Sequence, residues 1–323
     1  MSKTLIGMGS AAMDSIICCS SLPGDDSFQV VDSEQLLPGG SCANMLAAFA
    51  ALGGSSRLVS KIGDDSFGRQ LLDSLKRDKV DDSFLVHKAG GQTLHTYIWV
   101  AGGSHCIFIC LGDSLMSLAS DELAPHLLEG ADIFYTDLFP PQPALDTARK
   151  CRRQGIPVII GMQCSPSFMR RAGVSDEDLH AALGLADLVI GGQECYQEYL
   201  GCNDSIQALE ALYDKYRPTF GAVCTLGSAG SVWLDQQGFY QAGAYQVEPL
   251  DSTGAGDCFL GGLLYSYFAA GSDQRTALHF ASAMGALKCG QLGARISTSP
   301  RQVADFIQNN HLDYNFRPRT KVK

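Results

Sequence analysis

The stretch Asp251-Ser-Thr-Gly-Ala-Gly-Asp257 leads directly into the apolar segment Cys258-Phe-Leu-Gly-Gly-Leu-Leu264. A loop of small residues therefore runs into a segment long enough to form a helix. Gly254, Ala255 and Gly256 would place backbone N–H groups at the start of that helix, where they lack partners and the helix dipole favours negative charge. The pattern predicts an anion hole suited to phosphate.

Asp257 lies inside this predicted anion hole, where a carboxylate would repel a bound phosphate unless it had a task. It could accept a proton from a hydroxyl that attacks phosphorus. The alternative is a simple helix cap, since Ser or Asp often precedes an apolar helix. The catalytic interpretation is favoured because the glycines, both aspartates and the long apolar segment occur together.

The stretch from Asp251 to Leu264 resembles the C-terminal signature of the ribokinase-like (PfkB) family of carbohydrate and nucleoside kinases. The resemblance implies that Asp257 is the catalytic base and that Gly254, Ala255 and Gly256 bind the transferred phosphoryl group. It also implies an α/β fold over residues 1–323 as a single kinase domain. That fold would be a three-layer α/β/α sandwich with a mainly parallel central sheet and a small β lid.

Composition excludes several other classes of protein. The formal net charge of −10 argues against nucleic acid or an anionic membrane surface as the main partner. The sequence contains no run of about 18 uncharged apolar residues, so no transmembrane helix is predicted. The 12 cysteines form no C-x-x-C pair and no zinc-type spacing, which predicts reduced, mostly buried thiols in a cytoplasmic protein.

Near the N-terminus, Gly7-Met-Gly9-Ser-Ala-Ala12 matches the dinucleotide-binding pattern G-x-G-x-x-A. Such a turn should open a helix, whereas the segment after Met13 has the pattern of a strand. A dehydrogenase that binds NAD at Gly7 to Gly9 is therefore a minor alternative. The family resemblance implies instead that Asp14 binds substrate hydroxyls, although a turn-forming Asp is the simpler possibility.

The segment Pro38-Gly-Gly-Ser-Cys-Ala-Asn44 precedes an Ala-rich helical pattern and is similar to the family's N-terminal signature. The similarity implies that Gly39, Gly40 and Asn44 contact the substrate. An amide side chain can both donate and accept hydrogen bonds, as a polyol requires. Asn44 alone could equally be a first-turn capping residue. Cys42 and Leu46 depart from the family pattern, which usually has smaller residues there.

Strand-like patterns without intervening helices occur within about 15–36 and 93–110. The second region predicts a hairpin around Gly102-Gly103. By the family resemblance, these strands form the lid over the substrate. Pairing with a second subunit would cover their apolar edges, so we expect a homodimer through the lid.

From residue 120 onward, helical patterns alternate with short, fully apolar strands, which predicts a parallel sheet covered on both faces. Ligands of such sheets bind at the carboxyl ends of the strands. One such end, Thr225-Leu-Gly227-Ser-Ala-Gly230, resembles the family's nucleotide-binding segment T-L-G-x-x-G. A tight turn between strands is the alternative. No Walker A pattern is present, which argues against a P-loop kinase.

The resemblance implies ATP and Mg²⁺ as cofactors, with Ser282 and Gly256 beside the nucleotide. It also implies a site for a monovalent cation such as K⁺, partly formed by backbone carbonyls. The positions that correspond to this site are Asp251, Thr253, Lys288, Gln291, Gly293 and Ser297.

The sequence departs from the family in two further places. Where many relatives have N-x-x-E, this chain has Gly192 in place of Asn and Cys195 in place of Glu. Glu194 lies one residue early and would bind magnesium through water only if the loop shifts. Phe139 replaces a carboxylate that ribokinase places after the strand at 131–137, which weakens the case for ribose and would allow stacking on a nucleoside base.

The sequence therefore predicts an ATP-dependent phosphotransferase that acts on a hydroxyl of a sugar, a sugar derivative or a nucleoside. The altered segment at 191–195 motivates an alternative, a catalytically weak or silent sensor of the same fold that binds sugar or nucleotide.

Overall fold

A nine-stranded sheet forms the centre of the computed structural model, which describes residues 2–101 and 104–319. The strands are β1 (Thr4–Met8), β2 (Ala12–Cys19), β3 (Ser33–Gly39), β4 (Ser55–Val59), β5 (Lys61–Gly63), β6 (Val86–Lys88), β7 (His95–Ala101), β8 (Ser104–Cys110), β9 (Ile133–Thr136), β10 (Val158–Met162), β11 (Leu188–Gly192), β12 (Gly221–Thr225), β13 (Ser231–Leu234), β14 (Gly238–Ala242) and β15 (Tyr314–Pro318).

The helices follow the strands in the alternation that the sequence predicts. They are α1 (Ser41–Ala51), α2 (Ser66–Arg77), α3 (Pro141–Gln154), α4 (Pro166–Arg171), α5 (Asp176–Leu185), α6 (Gln193–Leu200), α7 (Ser205–Tyr216), α8 (Ala255–Leu264), α9 (Gln274–Cys289) and α10 (Pro300–Asn309). Among the described residues, no helix combines the length and the apolar character needed to cross a bilayer.

The central sheet has the strand order β15-β14-β13-β12-β11-β10-β9-β1-β4. All neighbours from β12 to β4 pair in parallel, and β13, β14 and β15 extend the sheet with antiparallel pairs. The prediction of a mainly parallel sheet is thus confirmed. The carboxyl ends of its parallel strands meet along one edge, where ligands of such sheets bind.

Both faces of this sheet are buried because the side chains of each strand alternate between two apolar cores. Leu5 and Ile159 belong to one core, while their neighbours Ile6 and Ile160 belong to the other. The first core contains α1, α2, α8, α9 and α10, and the second contains α3 to α7. Each such side chain contributes about 1.5–3 kcal/mol on burial. The predicted three-layer α/β/α sandwich is therefore confirmed.

A separate four-stranded sheet has the order β3-β2-β7-β8 and forms the lid. Strands β7 and β8 lie within the predicted region 93–110. The other two strands extend beyond the predicted region 15–36, since β2 starts at Ala12 and β3 runs on to Gly39. The segment between them contains Pro23 and Gly24 and forms no strand. The predicted turn at Gly102-Gly103 lies outside the described residues.

The outer strand β8 exposes apolar side chains. Ile107, Phe108 and Ile109 are 50%, 59% and 42% exposed. An unpaired edge strand with exposed apolar residues is a surface that a second chain could cover. The homodimer through the lid stays a prediction.

The dinucleotide-binding hypothesis for Gly7 to Ala12 is wrong. β1 ends at Met8 and β2 begins at Ala12, so the helix that such a turn must open is not formed there.

Gly7 serves a different purpose, which explains the two departures at Cys42 and Leu46. A Cβ atom at Gly7 would lie 2.8 Å from Cys42 Sγ and 2.8 Å from Leu46 Cδ1. The missing side chain in β1 therefore makes room for two larger ones on α1.

The N-cap of α2 connects the central domain to the start of the lid strand β7. Asp65 Oδ1 accepts hydrogen bonds from the Gly68 amide at 2.8 Å and from Thr93 Oγ1 at 2.7 Å, and Oδ2 accepts one from the Thr93 amide at 2.9 Å. These hydrogen bonds lower the pKa of Asp65 although its burial alone would raise it.

Replacing Asp65 with Ala should lower the free energy of unfolding by about 2 kcal/mol, at the upper end for helix caps, because Thr93 also loses its partner. Urea unfolding followed by circular dichroism would measure the change. Asp73→Ala, on an exposed position of the same helix, is the control and should stay within about 0.5 kcal/mol of wild type. Equal losses in both variants would contradict the capping role.

Candidate active site

The start of α8 is shaped by Gly254. This residue has φ 75°, in the left-handed region, and a Cβ atom there would lie 2.1 Å from the carbonyl oxygen of Ala294. Both the backbone conformation and the close approach require glycine. The loop before the helix is thereby held against the segment at residue 294.

The amides at this helix start are not equivalent. The Ala255 amide donates to the carbonyl of Ser252 at 3.1 Å, so it is already engaged in a turn. The amides of Gly256 and Asp257 lie in the first turn, where the helix itself offers no acceptor. A Cβ atom at Gly256 would meet no atom within 4 Å, which leaves the approach to these amides open. The amides of Gly256 and Asp257 are therefore the ones that the predicted anion hole would present to a ligand.

The Asp257 side chain is buried and points into the structure beside α1. Its Oδ2 accepts a hydrogen bond of 2.9 Å from Asn44 Nδ2. Burial raises the pKa of Asp257 to about 7, against the lowering effect of hydrogen bonds from Asn44 and Ser41. The negative charges of Asp137 and Asp14 raise it further. A carboxyl group with this pKa can accept and release a proton near neutral pH.

Asn44 is held in one orientation by a buried cation. Its Oδ1 accepts a hydrogen bond of 3.3 Å from Arg295 Nε, and the same guanidinium donates to Asp78 and Ser74. Because a guanidinium can only donate, the amide oxygen of Asn44 must face Arg295 and its nitrogen must face Asp257.

Asp14 lies on the lid strand β2 and lines the same cavity as Asp257. Its Oδ1 accepts a hydrogen bond of 2.7 Å from Thr96 Oγ1 on β7. Burial raises the pKa of Asp14, while Thr96 and the charge of Arg295 lower it. A Cβ atom at Gly39 would lie 2.0 Å from Asp14 Oδ2. Gly39 thus makes room for this carboxylate.

Gly40 allows the chain to turn from β3 into α1. Its φ is 85°, and a Cβ atom there would lie 2.5 Å from the Cα of Ala11. The turn brings Gly40 and Asn44 to the same side as Asp14.

These residues surround a first cavity of about 410 Å³, within the usual range for small-molecule sites. The predicted site residues that line it are Asp14, Gly40, Asn44, Thr253, Gly254, Gly256 and Asp257. Its remaining wall is largely apolar and comes from the lid and from the carboxyl ends of β9 and β10, with Leu94, Ile98, Ile107, Ile109, Leu111, Leu115, Met116, Phe139 and Phe168.

Sequence reasoning missed Asp137 as a member of this site. The residue follows β9, is 1% exposed, and lines the first cavity. Its Oδ2 accepts hydrogen bonds from the Ser10 hydroxyl at 2.6 Å and from the Ser10 amide at 3.0 Å. Burial raises its pKa to about 6 against these hydrogen bonds.

Asp137 also qualifies the expectation drawn from Phe139. Phe139 stands where ribokinase has a carboxylate, yet this part of the site does contain a carboxylate two residues earlier. The rule that ligands lie at the carboxyl ends of parallel strands would have pointed to it. Phe139 itself is buried and lines the same cavity.

A second cavity of about 380 Å³ lies on the other side of the helix start. Its lining includes all of the residues predicted to bind the nucleotide, which are Thr225, Gly227, Gly230, Gly256 and Ser282. The neighbouring wall is formed by Tyr245, Val247, Pro249, Phe259, Gly285, Ala286 and Cys289. Gly256 lines both cavities. The free amides at the start of α8 therefore lie where the two cavities adjoin.

Glu194, predicted to bind magnesium through water, is exposed in the first turn of α6 and lines neither cavity. The segment that was expected to be a loop continues directly from β11 into this helix. Cys195 turns inward and is buried, and burial raises its pKa to about 11. Among the described residues, no group of three or more His, Cys, Asp or Glu side chains could hold a metal ion.

The positions predicted to hold a monovalent cation do lie together. Asp251 accepts hydrogen bonds from the amides of Thr253 at 2.9 Å and Gly293 at 2.8 Å, while Gln291 pairs with the backbone of Ser297. Lys288 is fully buried among them. Its ammonium donates to the carbonyl oxygens of Asp251 at 2.8 Å and Gln291 at 3.0 Å.

Two relatives with assigned activities cover most of the chain. The protein is 30% identical over 281 residues to Fructokinase-1 of Oryza sativa subsp. japonica, covering 82% of this chain and 86% of that protein. It is 26% identical over 312 residues to the ATP-dependent ribose-1-phosphate kinase of Halopiger xanaduensis, covering 94% and 97%.

Solved structures share the fold at lower identity. The ribokinase of Arabidopsis thaliana, complexed with ribose and ATP, superposes with a TM-score of 0.80 and 21% identity over 95% of this chain and 99% of that one. A ribokinase II from E. coli, in complex with ATP and Mg²⁺, superposes with a TM-score of 0.81 and 18% identity over 96% of this chain and 100% of that one. The predicted ribokinase-like fold is confirmed.

The family model of pfkB carbohydrate kinases matches residues 3–301, which is nearly the whole chain. The protein therefore belongs to the pfkB family of carbohydrate kinases.

Proposed function

We propose that this protein transfers a phosphoryl group from ATP to a hydroxyl of an uncharged sugar, sugar derivative or nucleoside. The observation that carries the proposal is the position of Gly256 and Asp257. Open backbone amides lie between two cavities, and a carboxylate with a pKa near neutrality faces the first of them. Transfer between ligands bound on the two sides requires such an arrangement.

In this proposal the second cavity binds ATP. Thr225, Gly227 and Gly230 line its phosphate side, and Ser282 with its apolar neighbours borders the base. Backbone amides of Gly256 and Asp257 would then stabilise the charge on the transferred phosphoryl oxygens. Mg²⁺ would neutralise the nucleotide phosphates, which supply the oxygen ligands that it prefers.

The acceptor would bind in the first cavity, beneath the lid. Asp14 and Asn44 offer hydrogen-bond partners for its hydroxyl groups. The reacting hydroxyl would lie beside Asp257, which takes its proton as the new bond to phosphorus forms. The apolar wall around Phe139 and Phe168 suits a sugar face or a nucleobase.

The charge of the first cavity supports an uncharged acceptor. Asp14, Asp137 and Asp257 line it, and its described lining residues include no Lys, Arg or His. A phosphorylated sugar would place its negative charge among these carboxylates without a cation to pair with it. Such like-charge contacts cost several kcal/mol.

The alternative, a sensor without turnover, rests on the altered segment at 191–195. A protein that only binds its ligands gains nothing from a carboxylate inside an anion hole, because the charge weakens phosphate binding. The environment of Asp257 therefore favours a kinase.

Replacing Asp257 with Asn should lower kcat by about 10²–10⁴-fold, because the proton acceptor is lost while the side chain keeps its shape. The KM for ATP should change little, since the backbone amides remain. ADP release from Mg-ATP would measure both constants.

Asp273→Asn provides the matched control, because Asp273 caps α9 at the surface and Asn is an equally good cap. Its kinetics should equal those of wild type. Near-normal turnover of the Asp257 variant would refute the role of Asp257 as the catalytic base. Binding of ATP and acceptor without any turnover in wild type would favour the sensor.

Matched acceptor pairs test the charge of the first cavity. Ribose, fructose and adenosine are each compared with a phosphate ester that leaves the same hydroxyl free. Each uncharged member should be preferred by about 10²-fold or more in kcat/KM, because the carboxylates repel the ester. A phosphate ester that reacts faster than its parent compound would contradict this assignment.

The pH profile tests the coupling between carboxylates. Asp257 must be deprotonated to act as a base, so kcat/KM should fall as the pH drops through about 7, the raised pKa. Asp137→Asn removes a negative charge that raises the pKa of Asp257, so this pKa should fall, while the charge of Asp14 continues to raise it. The acidic limb should then move to lower pH. An unchanged or raised limb would contradict the coupling.

A further inference from the structure

Lys288 carries a positive charge in the protein interior, where burying a charge costs free energy. Its side chain is fully buried at the end of α9, and burial lowers its pKa, while the nearby Asp251 carboxylate raises it. The ammonium nevertheless has two good partners, the carbonyl oxygens of Asp251 and Gln291. A buried charge persists only when it is paired and hydrogen-bonded.

These partners belong to the two segments that shape the anion hole. Asp251 begins the loop that ends at Gly254, and its carboxylate binds the amides of Thr253 and Gly293. Gly254 in turn lies against the carbonyl of Ala294. The ammonium of Lys288 therefore joins the loop before α8 to the segment after α9.

The same geometry bears on the monovalent cation expected at these positions. A potassium ion that used the carbonyl oxygens of Asp251 and Gln291 would have to lie where the ammonium of Lys288 now lies. Two positive charges in one buried site repel each other. The residues present therefore do not fit a bound K⁺.

We propose that Lys288 itself supplies the positive charge at this site, so that phosphoryl transfer in this protein needs no monovalent cation. Lys288 is thus a positioning residue, which holds both segments and the first turn of α8 in place from within the chain. This inference rests on the proposed kinase activity, but part of its test does not.

The first test compares initial rates of wild type in K⁺, Na⁺ and tetramethylammonium chloride at one ionic strength. Wild type should work equally well in all three. Lys288→Ala should lose up to about 10²-fold in kcat, because a displaced anion hole costs that much. K⁺ or methylammonium should restore a large part of the loss by filling the vacated carbonyl site, and tetramethylammonium should not.

Two further variants separate this role from general stability. Lys288→Met fills the space without a charge, so its activity should be low in every salt. Lys61→Ala removes another buried lysine, which binds Glu122 and the carbonyl of Ser117 instead. Any loss in that variant should be equal in the three salts.

Thermal unfolding provides the readout that does not depend on turnover. K⁺ or methylammonium should raise the Tm of Lys288→Ala relative to tetramethylammonium, and should leave wild type and Lys288→Met unchanged. If no acceptor is phosphorylated by wild type, the proposed function fails while this measurement still decides the role of Lys288. If Lys288→Ala does not fold, the salt response of wild type and the rates of Lys288→Met decide it.

Activation of wild type by K⁺ would overturn the proposal. So would full activity of Lys288→Met, or a Lys288→Ala variant that responds to no cation in rate or in Tm.

Discussion

The burial of several carboxylates around one cavity is the constraint that governs the rest of this site. Asp14, Asp137 and Asp257 all line the first cavity, and burial raises the pKa of each. Each therefore needs hydrogen-bond donors, and each has them. Crowding the carboxylates costs free energy, but it also favours proton transfer. A carboxylate whose pKa lies near neutrality is a better proton acceptor at physiological pH than one with an ordinary pKa.

The fold makes such crowding possible by delivering each carboxylate on a different element. Asp137 follows a central strand, Asp14 lies on a lid strand, and Asp257 lies in the first turn of a helix. Asn44 and Asp257 are 213 residues apart in sequence, yet they share a hydrogen bond. Parallel strands bring such distant segments to one edge of the sheet, and the packed helices fix the distances.

The sequence was sufficient for the parts of this arrangement that depend on local patterns. Short apolar strands and helices alternate from β9 to β12, as the pattern after residue 120 predicts. Small residues before an apolar helix correctly placed Gly254 to Asp257 at a helix start. These features depend on periodicity, capping and backbone freedom within a few residues, which a single sequence displays directly.

Features that depend on contacts between distant segments could not be predicted in this way. The lid pairs β2 with β7 in parallel, whereas the local pattern predicted only a hairpin within 93–110. The space that Gly7 leaves for Cys42 and Leu46 depends on the packing of β1 against α1, which the local sequence does not show. Asp137 follows an apolar strand like many structural aspartates, and only the cavity distinguishes it.

The role of Arg295 in the site can be recognised only from its contacts in the folded structure. Its sequence context gives no sign of a role, since it lies in a loop after Ala294. In the structure its guanidinium is buried, binds Asp78, and donates to Asn44. That contact fixes which end of the Asn44 amide faces Asp257, and the charge of Arg295 lowers the pKa of Asp14. A single cation behind the cavity thus orients the partner of the proposed base and offsets part of the carboxylate charge.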